Sequence, residues 1–529
     1  MSQNTESSAP IHGGEGNAAW QGLPVGRRRM VTFAVMFAAF ISVLDTTIVN
    51  VALKHMRGTF GVDLSTITWV ASSYTIAQVI MVIMSAWWST LLGRKRFLLI
   101  SVVFFTLGSI LAGTATTFNE MIVYRILQGA GGGSLVPLSQ AILRESYPPR
   151  LHGAAMARFG MGVVLAPALG PVVGGYLTDE FGWPWIFYIN VPFAIVGFIL
   201  ISVYVKDPPY LKRGIQRVDW VGIAFLAVAI TGVQIFLERG QEENWFDSNW
   251  IIAVSVVTVI ALAALVFWEL RTDEPIVNLR VLRNVPLAVG SSIMLLFGIA
   301  QFGTTFILPQ FLQDLLEYTP YHAGMTMAPR GIMLFTTLVV VGRLFRYVDS
   351  RIFIPIGAGL IIFGMAVFSG LSLDAGFWNM LPGLIFLGMG APCIFITLST
   401  ISLGSVKPKD TTAAAGIFNL AQRMGGNIGF ALLTTILERR IAFHRINLIA
   451  NITETNEAFL RFKAGIAESL LQQQVPSSLA IAKSLALADR LVEKQSIMLA
   501  YNDLYMFLGI MFLAIVPLVL FFKSPNRKV

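Results

Sequence analysis

The stretch Gly93-Arg94-Lys95-Arg96 followed by FLLISVVFFTLGSILAGTATT, residues 97–117, sets a basic turn against a run that has no charged side chain. About 20 mostly apolar residues are what a helix needs to cross the roughly 30 Å hydrocarbon core of a bilayer. Comparable runs recur near 30–50, 66–91, 121–143, 155–178, 183–205, 218–237, 250–268, 286–310, 324–345, 352–371, 378–402, 413–437 and 500–522. Together they predict an all-α integral membrane protein with about fourteen transmembrane helices.

Composition points the same way. Of 529 residues, 55% are hydrophobic and 13% charged, and mean hydropathy is +0.70. A soluble domain carries about 25% charged residues, so this chain has too little charge to clothe a globule of its length. Its net charge of +9 would suit a nucleic-acid binder. The basic residues form no periodic face, however; they fall in short groups between apolar runs, the pattern of loops on the positive side of a membrane. A nucleic-acid partner is excluded on that ground. Cys393 is the single cysteine, which rules out a disulfide within the chain and argues against a thiol-bound metal. The first apolar run is too long for a signal-peptide core, and no small-residue cleavage site follows it. The polar leader before Arg27-Arg28-Arg29 reads as a disordered cytoplasmic tail.

Alternate connections separate the charges by side. One side holds Arg27 to Arg29, Arg94 to Arg96, Arg144, Arg150, Lys206, Lys212, Arg213, Arg217, Arg271, Arg280 and Arg283. It continues with Arg343, Arg346, Arg351, Lys407, Lys409, Lys523, Arg527 and Lys528, while the short loops opposite hold only Lys54, Arg57 and Arg239. This asymmetry predicts cytoplasmic termini and an even number of spans. The long outer connection 438–499 carries both signs, and its stretch Ser477 to Lys494 reads as an amphipathic helix running into the last span. It is either a hairpin packed on the outer face or a docking surface for another protein. Gly342-Arg343-Leu344-Phe345-Arg346, with Asp349 and Arg351 beyond, echoes the basic turn at Gly93. The division expected is a tail 1–29, a six-helix bundle 30–205, a linker with two extra spans 206–283, a second bundle 284–522 that includes the long loop, and a tail 523–529.

Ionisable residues within spans are costly and mark functional candidates. Asp45 lies well inside the first span, in Leu44-Asp45-Thr46-Thr47-Ile48-Val49-Asn50. It reads as a proton-loading carboxylate or as a structural one bonded to Thr46, Thr47 or a neighbouring helix. Arg125 opens Arg125-Ile126-Leu127-Gln128-Gly129-Ala130-Gly131-Gly132-Gly133. It is either a partner for such a carboxylate or a fixed cation on backbone carbonyls. The glycine string is no phosphate loop, for no Lys-Ser/Thr pair follows it. Gly162, Ala166-Pro167, Gly170-Pro171 and Gly174-Gly175 stud the fifth span at four-residue spacing, a smooth face for close helix approach and a place to bend. Arg330 sits near an outer end, within snorkelling reach of water, and Arg423 lies within a late span; structural and pathway roles suit both. Trp69, Tyr74, Trp183, Trp185 and Tyr188 are expected in the aromatic belt. The five histidines show no metal-ligand spacing, and no Gly-x-Ser-x-Gly elbow is present, so an enzyme has little support.

Taken together, the segment Leu44 to Ala52, the string Arg125 to Gly133, Gly170-Pro171-Val172-Val173-Gly174-Gly175 and the run Trp183 to Pro192 resemble the fourteen-spanner drug:proton antiporters of the major facilitator superfamily, and most of all their EmrB-type members. The resemblance covers nearly the whole chain. It implies proton-driven export of amphipathic, often toxic compounds across a bacterial inner membrane, powered by the proton gradient without a cofactor. It also implies a periplasmic adaptor and an outer-membrane channel as partners. By position, Asp45 would be the protonation site and Arg125 its relay. Gln128, Gly129 and Gly131 would belong to the fourth-span motif, and Gly162, Pro167, Gly170, Pro171, Gly174 and Gly175 to the antiporter face. Gly93, Arg94 and Lys95 match the family's cytoplasmic turn. Thr90 stands where that turn carries an acidic residue, which puts a charge lock in doubt unless Arg346 and Asp349 supply an equivalent or packing replaces it. Phe37, Phe40, Phe297, Phe302, Phe306 and Arg423 are candidate walls of an apolar cavity between two bundles in alternating access. Two other readings stay open: an exporter of a lipid, siderophore or metabolite, and a membrane receptor or scaffold that transports nothing.

Overall fold

The computed structural model describes residues 24–518 except 63, 149–150, 208–218, 241–242, 244, 273–274, 319, 346, 451, 453–456 and 473–475. Residues 1–23 of the expected first tail, all of the second tail and Arg346 therefore lie outside the described residues, as does most of the linker before the extra pair. Among the described residues every regular element is helical.

The first half comprises α1 (Val25–Phe60), α2 (Trp69–Leu92), α3 (Arg94–Thr114), α4 (Phe118–Gly132), α5 (Leu135–Ser146), α6 (His152–Phe181) and α7 (Asn190–Tyr204). The extra pair is α8 (Trp220–Arg239) and α9 (Asn249–Arg271). The second half comprises α10 (Val285–Gln310), α11 (Pro320–Leu344), α12 (Phe353–Ser369), α13 (Phe377–Gly404), α14 (Thr411–Ile449), α15 (Glu457–Gln472) and α16 (Ser477–Leu518).

Local chemistry sets the boundaries. Gly61 ends α1 in the left-handed region at φ 64°, where an L side chain would be strained. Thr117 and Glu120 close a reciprocal capping box at the start of α4. Gly93, at φ 86°, makes the sharp turn that lets α3 start immediately after α2. The connection 438–499 is largely helical: α14 runs on to Ile449, α15 follows, and α16 is one helix of 42 residues from Ser477. At its far end Asp503 of α16 accepts from His444 of α14 at 2.6 Å and from Arg440 Nε at 2.6 Å.

Among the described residues eleven helices are long and apolar enough to cross a membrane, and twelve if the bent α6 counts as one. The expected fourteen is not reached, for two physical reasons. The fourth candidate divides at Gly133-Ser134 into pieces of 15 and 12 residues, each too short alone. Helix α14 is long enough, but Asn419, Gln422, Arg423, Asn427, Glu438, Arg439 and Arg440 lower its hydropathy.

Each half has its own core. Buried residues of α1, α3, α5, α6 and α7 cluster in the first, among them Val35, Phe105, Leu138 and Phe159. Those of α10, α12, α13, α14 and α16 cluster in the second, among them Phe311, Phe368, Phe418 and Phe512. The halves meet where α14 packs on α2 and α5, and α11 and α13 on α6. A further apolar cluster joins Val79, Ile83 and Trp87 of α2 to Leu226 and Ile230 of α8, with Leu420 and Met424 of α14 against it. The extra pair thus straddles the seam between the halves.

A buried carboxylate network within the first half

Five helices deliver polar groups to one buried place in the first half. The glycine string makes this possible. A Cβ on Gly129 would strike the carbonyl of Tyr74, and one on Gly131 the backbone of Phe105. Without side chains at these positions α4 lies against α2 and α3, which brings Arg125 and Gln128 within reach of α1. The face of α6 acts similarly: a Cβ on Gly170 would meet Thr47, on Gly174 Ile48 and on Gly162 Met36, all on α1. Gly175 has open space. Helix α6 bends by 41° between Pro167 and Val172, a span that contains Pro171 and fits the loss of backbone donors at proline.

Asp45 is fully buried and Arg125 is 1% exposed. Arg125 Nη1 donates to Asp45 Oδ2 at 2.6 Å, while Asp45 Oδ1 accepts from Gln128 Nε2 at 2.7 Å and Asn190 Nδ2 at 3.0 Å. Arg125 also donates to the Val70 carbonyl at 2.9 Å and to Gln128 Oε1 at 2.5 Å. Ser109 accepts from both Gln128 and Asn190, and donates to the Phe187 carbonyl at 2.8 Å. The guanidinium carbon stands 4.2 Å from the Tyr74 ring centroid, a cation–π contact that burial strengthens. The Tyr74 hydroxyl donates to the Ser42 carbonyl at 3.3 Å and accepts from Gln78 Nε2 at 2.9 Å.

Such an arrangement has a definite chemistry. A carboxylate out of water is tolerable only beside a cation and with its lone pairs occupied. Asp45 has both. Neutralising it would leave Arg125 as an unbalanced charge, so any proton arriving there is felt by every group that holds Arg125.

Sequence reasoning missed several members. Tyr74, assigned to the aromatic belt, is instead fully buried against Arg125. Asn190, Ser109, Ser42 and Gln78 received no site role. The available signal was a carboxamide in mid-run: Gln78 and Asn190 each stand within otherwise apolar segments. Arg330 is 7% exposed and donates to Thr305 Oγ1 at 3.3 Å. Arg423 reaches across the seam to Gln78 Oε1.

The basic turn is also closed differently from expectation. Thr90 only bonds back to the Ala86 carbonyl, but Arg94, 1% exposed, pairs with Glu145 at the end of α5. The acid missing from the α2 turn is thus supplied from another helix. Lys95 N–H donates to Asp207 Oδ1 at 2.8 Å. Asp349 accepts from the Arg351 N–H at 3.1 Å and caps its own short helix. The first half grips the second through Arg144, which donates to Thr411 Oγ1 at 3.0 Å and to the Val406 carbonyl at 2.6 Å.

The described phenylalanines of this set, Phe37, Phe40 and Phe297, are divided between the two halves. Phe37 and Phe40 pack on Phe193, at 6.3 and 5.8 Å between centroids. Phe297 is buried in the core of the second half against Phe512. The side chains of Phe302 and Phe306 lie outside the described residues.

Comparison with known proteins adds to this geometry. Residues 35–430 match the family model of the Major Facilitator Superfamily. Multidrug export protein EmrB of Escherichia coli K12 is 31% identical over 94% of this chain and 95% of its own. Fatty acid resistance protein FarB of Neisseria gonorrhoeae is 30% identical over 94% of this chain and 96% of its own. Among solved structures, the proton:xylose symporter XylE superposes with a TM-score of 0.56 at 13% identity, covering 93% of this chain and 96% of that one; at that identity the likeness is one of fold.

Proposed function

The chain belongs to the Major Facilitator Superfamily, a family of transporters and not of enzymes, and we propose that it is a proton-coupled antiporter exporting amphipathic drugs and toxic compounds. The observation that carries the reading is the Asp45–Arg125 pair, fully buried and 2.6 Å apart. The multidrug export relatives supply the cargo class.

In this mechanism the two halves alternate their access around a site at their interface. Asp45 takes up a proton from outside and releases it inward as substrate loads from the cytoplasm or the inner leaflet. Arg125 stays charged throughout, so it restores the carboxylate by drawing it back into the ion pair. Gln128 and Asn190 keep Asp45 oriented in both states. Glu145 and Arg94 fasten the turn between α2 and α3, and Arg144 closes the same face against the second half. We place the protein in the bacterial cytoplasmic membrane with both termini inside, as the pump of a tripartite system. The helical segment formed by the end of α14, by α15 and by the start of α16 is the part offered to a periplasmic adaptor. The likeness to a fatty acid resistance protein favours, as a second reading, fatty acids as cargo.

The test is ligand-driven proton flux in proteoliposomes with wild type and Asp45→Asn. The variant is expected to fold and to lose proton-coupled export. Near-normal flux from Asp45→Asn would sink the proposal, and a cargo panel of cationic drugs against fatty acids separates the two readings.

A further inference from the structure

Helix α14 carries a polar stripe that the reading above does not use. Thr411, Asn419, Arg423 and Asn427 follow one another at multiples of four residues, so they form a stripe that rises about 6 Å and turns about 40° per four residues, meeting successive neighbours as it winds. Each bonds to an element outside the second half. Thr411 accepts from Arg144 of α5 at 3.0 Å. Asn419 Nδ2 donates to Gln140 Oε1 of α5 at 2.6 Å. Arg423 donates to Gln78 Oε1 of α2. Asn427 Nδ2 donates to Gln234 Oε1 of α8 at 2.6 Å. Three of the acceptors are thus glutamine carboxamides, and all three glutamines are no more than 1% exposed.

One rung differs from the others. Arginine has donors only, so Arg423 forces Gln78 to turn its oxygen toward the seam. The amide nitrogen must then face inward, where it donates to Tyr74 Oη at 2.9 Å and Ser42 Oγ at 3.0 Å. Because Tyr74 accepts there, its own proton goes to the Ser42 carbonyl. The ring so fixed lies under Arg125, which holds Asp45. An unbroken path runs from the second half to the buried carboxylate. The charged and titratable groups facing it are Arg125 from α4, Tyr74 from α2 and Arg423 from α14. The rungs at Asn419 and Asn427 fasten the seam without touching this path.

We propose that Arg423 and Gln78 are positioning residues that couple closure of the α2–α14 seam to the charge on Asp45, while the Asn419–Gln140 and Asn427–Gln234 rungs only hold the seam shut. The proposal rests on Asp45 being the proton site. It assigns the extra helix pair a fixed place on the gating helix and makes α14 the sensor of the carboxylate.

The seam is read directly by spin labels at Thr90→Cys and Lys407→Cys, both exposed positions, after Cys393→Ser. Double electron–electron resonance in lipid nanodiscs then gives the closed-to-open ratio. Asp45→Asn is expected to lower that ratio about fivefold in the labelled parent, the scale of one hydrogen-bonded link. The same drop is expected in an Asn427→Leu background. In Gln78→Leu, and in Tyr74→Phe, which keeps the ring and removes only the linking hydroxyl, Asp45→Asn is expected to change it less than about twofold. An equal drop in all four backgrounds, or none in the parent, overturns the proposal. Tyr74→Phe carries the test if Gln78→Leu does not fold. Proton flux in the same variants separates the outcomes: export by Asp45→Asn would refute the proton site while leaving the seam measurement standing.

Discussion

Replacing Arg125 by Met should be among the most damaging single changes in the chain, and Asp45→Asn should relieve most of the damage. Arg125 donates to Asp45, Gln128 and Val70 and stands on Tyr74. Methionine fills much of the space but makes none of these bonds. Asp45 keeps Gln128 and Asn190 on Oδ1 and loses its donor on Oδ2. Removing one partner of a buried ion pair costs about 3–5 kcal/mol, chiefly because the other charge is stranded. With Asn at position 45 no charge is left to strand, and the remaining loss is that of neutral hydrogen bonds at about 1 kcal/mol each. The double variant should therefore be more stable than the sum of the two singles by about 2–4 kcal/mol. Unfolding by SDS in mixed micelles, followed by tryptophan fluorescence, measures all four corners of the cycle. Additivity to within about 0.5 kcal/mol would refute the reasoning, since contacting residues in one network should not add.

The glycine face of α6 predicts a contrast: Gly174→Leu should lose export and folding yield through its clash with Ile48, whereas Gly175→Ala, which meets open space, should retain both in a cell-based efflux and expression assay. Glu145→Gln removes the partner of buried Arg94 and should lower apparent melting temperature by several degrees, the scale of about 1–3 kcal/mol for a lost charged bond, in a detergent thermal-shift measurement. Asn190→Leu takes a donor from Asp45 and Ser109 and should cut proton-coupled flux about tenfold or more, the scale of about 1.4 kcal/mol, with binding of cargo retained. Lys494 holds the Glu317 carboxyl below its ordinary range by a hydrogen bond at 2.7 Å. The depressed value means this tether between the α10–α11 turn and α16 persists above the usual glutamate range of about 4.3 and fails as pH falls through the lowered value; the hydrogen-exchange protection factor at residues 316–318, corrected for the intrinsic pH dependence of exchange, should drop there and lose that step in Lys494→Met.

Much of the fold was legible because hydrocarbon imposes a one-dimensional rule. A helix in lipid must be apolar over a fixed length, so FLLISVVFFTLGSILAGTATT declares itself without knowledge of its neighbours. The rule blurred where protein replaces lipid around a helix. The fourth candidate breaks at Gly133-Ser134, and α14 is polar along the face that meets Gln140, Gln78 and Gln234. The site was half legible for the same reason. A carboxylate at 45 and a guanidinium at 125 are conspicuous in apolar runs, but a tyrosine at 74 or a glutamine at 78 looks the same in a belt, a core or a network. Only the approach of α2, α4 and α14 distinguishes these.

The sequence by itself determined that the chain lives in a membrane as many helices, and which charged residues are too costly there to be incidental. Desolvation acts on each residue separately, so it can be read residue by residue. The tertiary structure alone decided partnership: that Arg94 turns to Glu145 in the absence of an acid at Thr90, that Tyr74 lies under Arg125, and that α14 ties the extra pair to both halves. Partners in this chain are up to 345 residues apart. Bonds across such distances depend on how helices cross, which no single segment encodes.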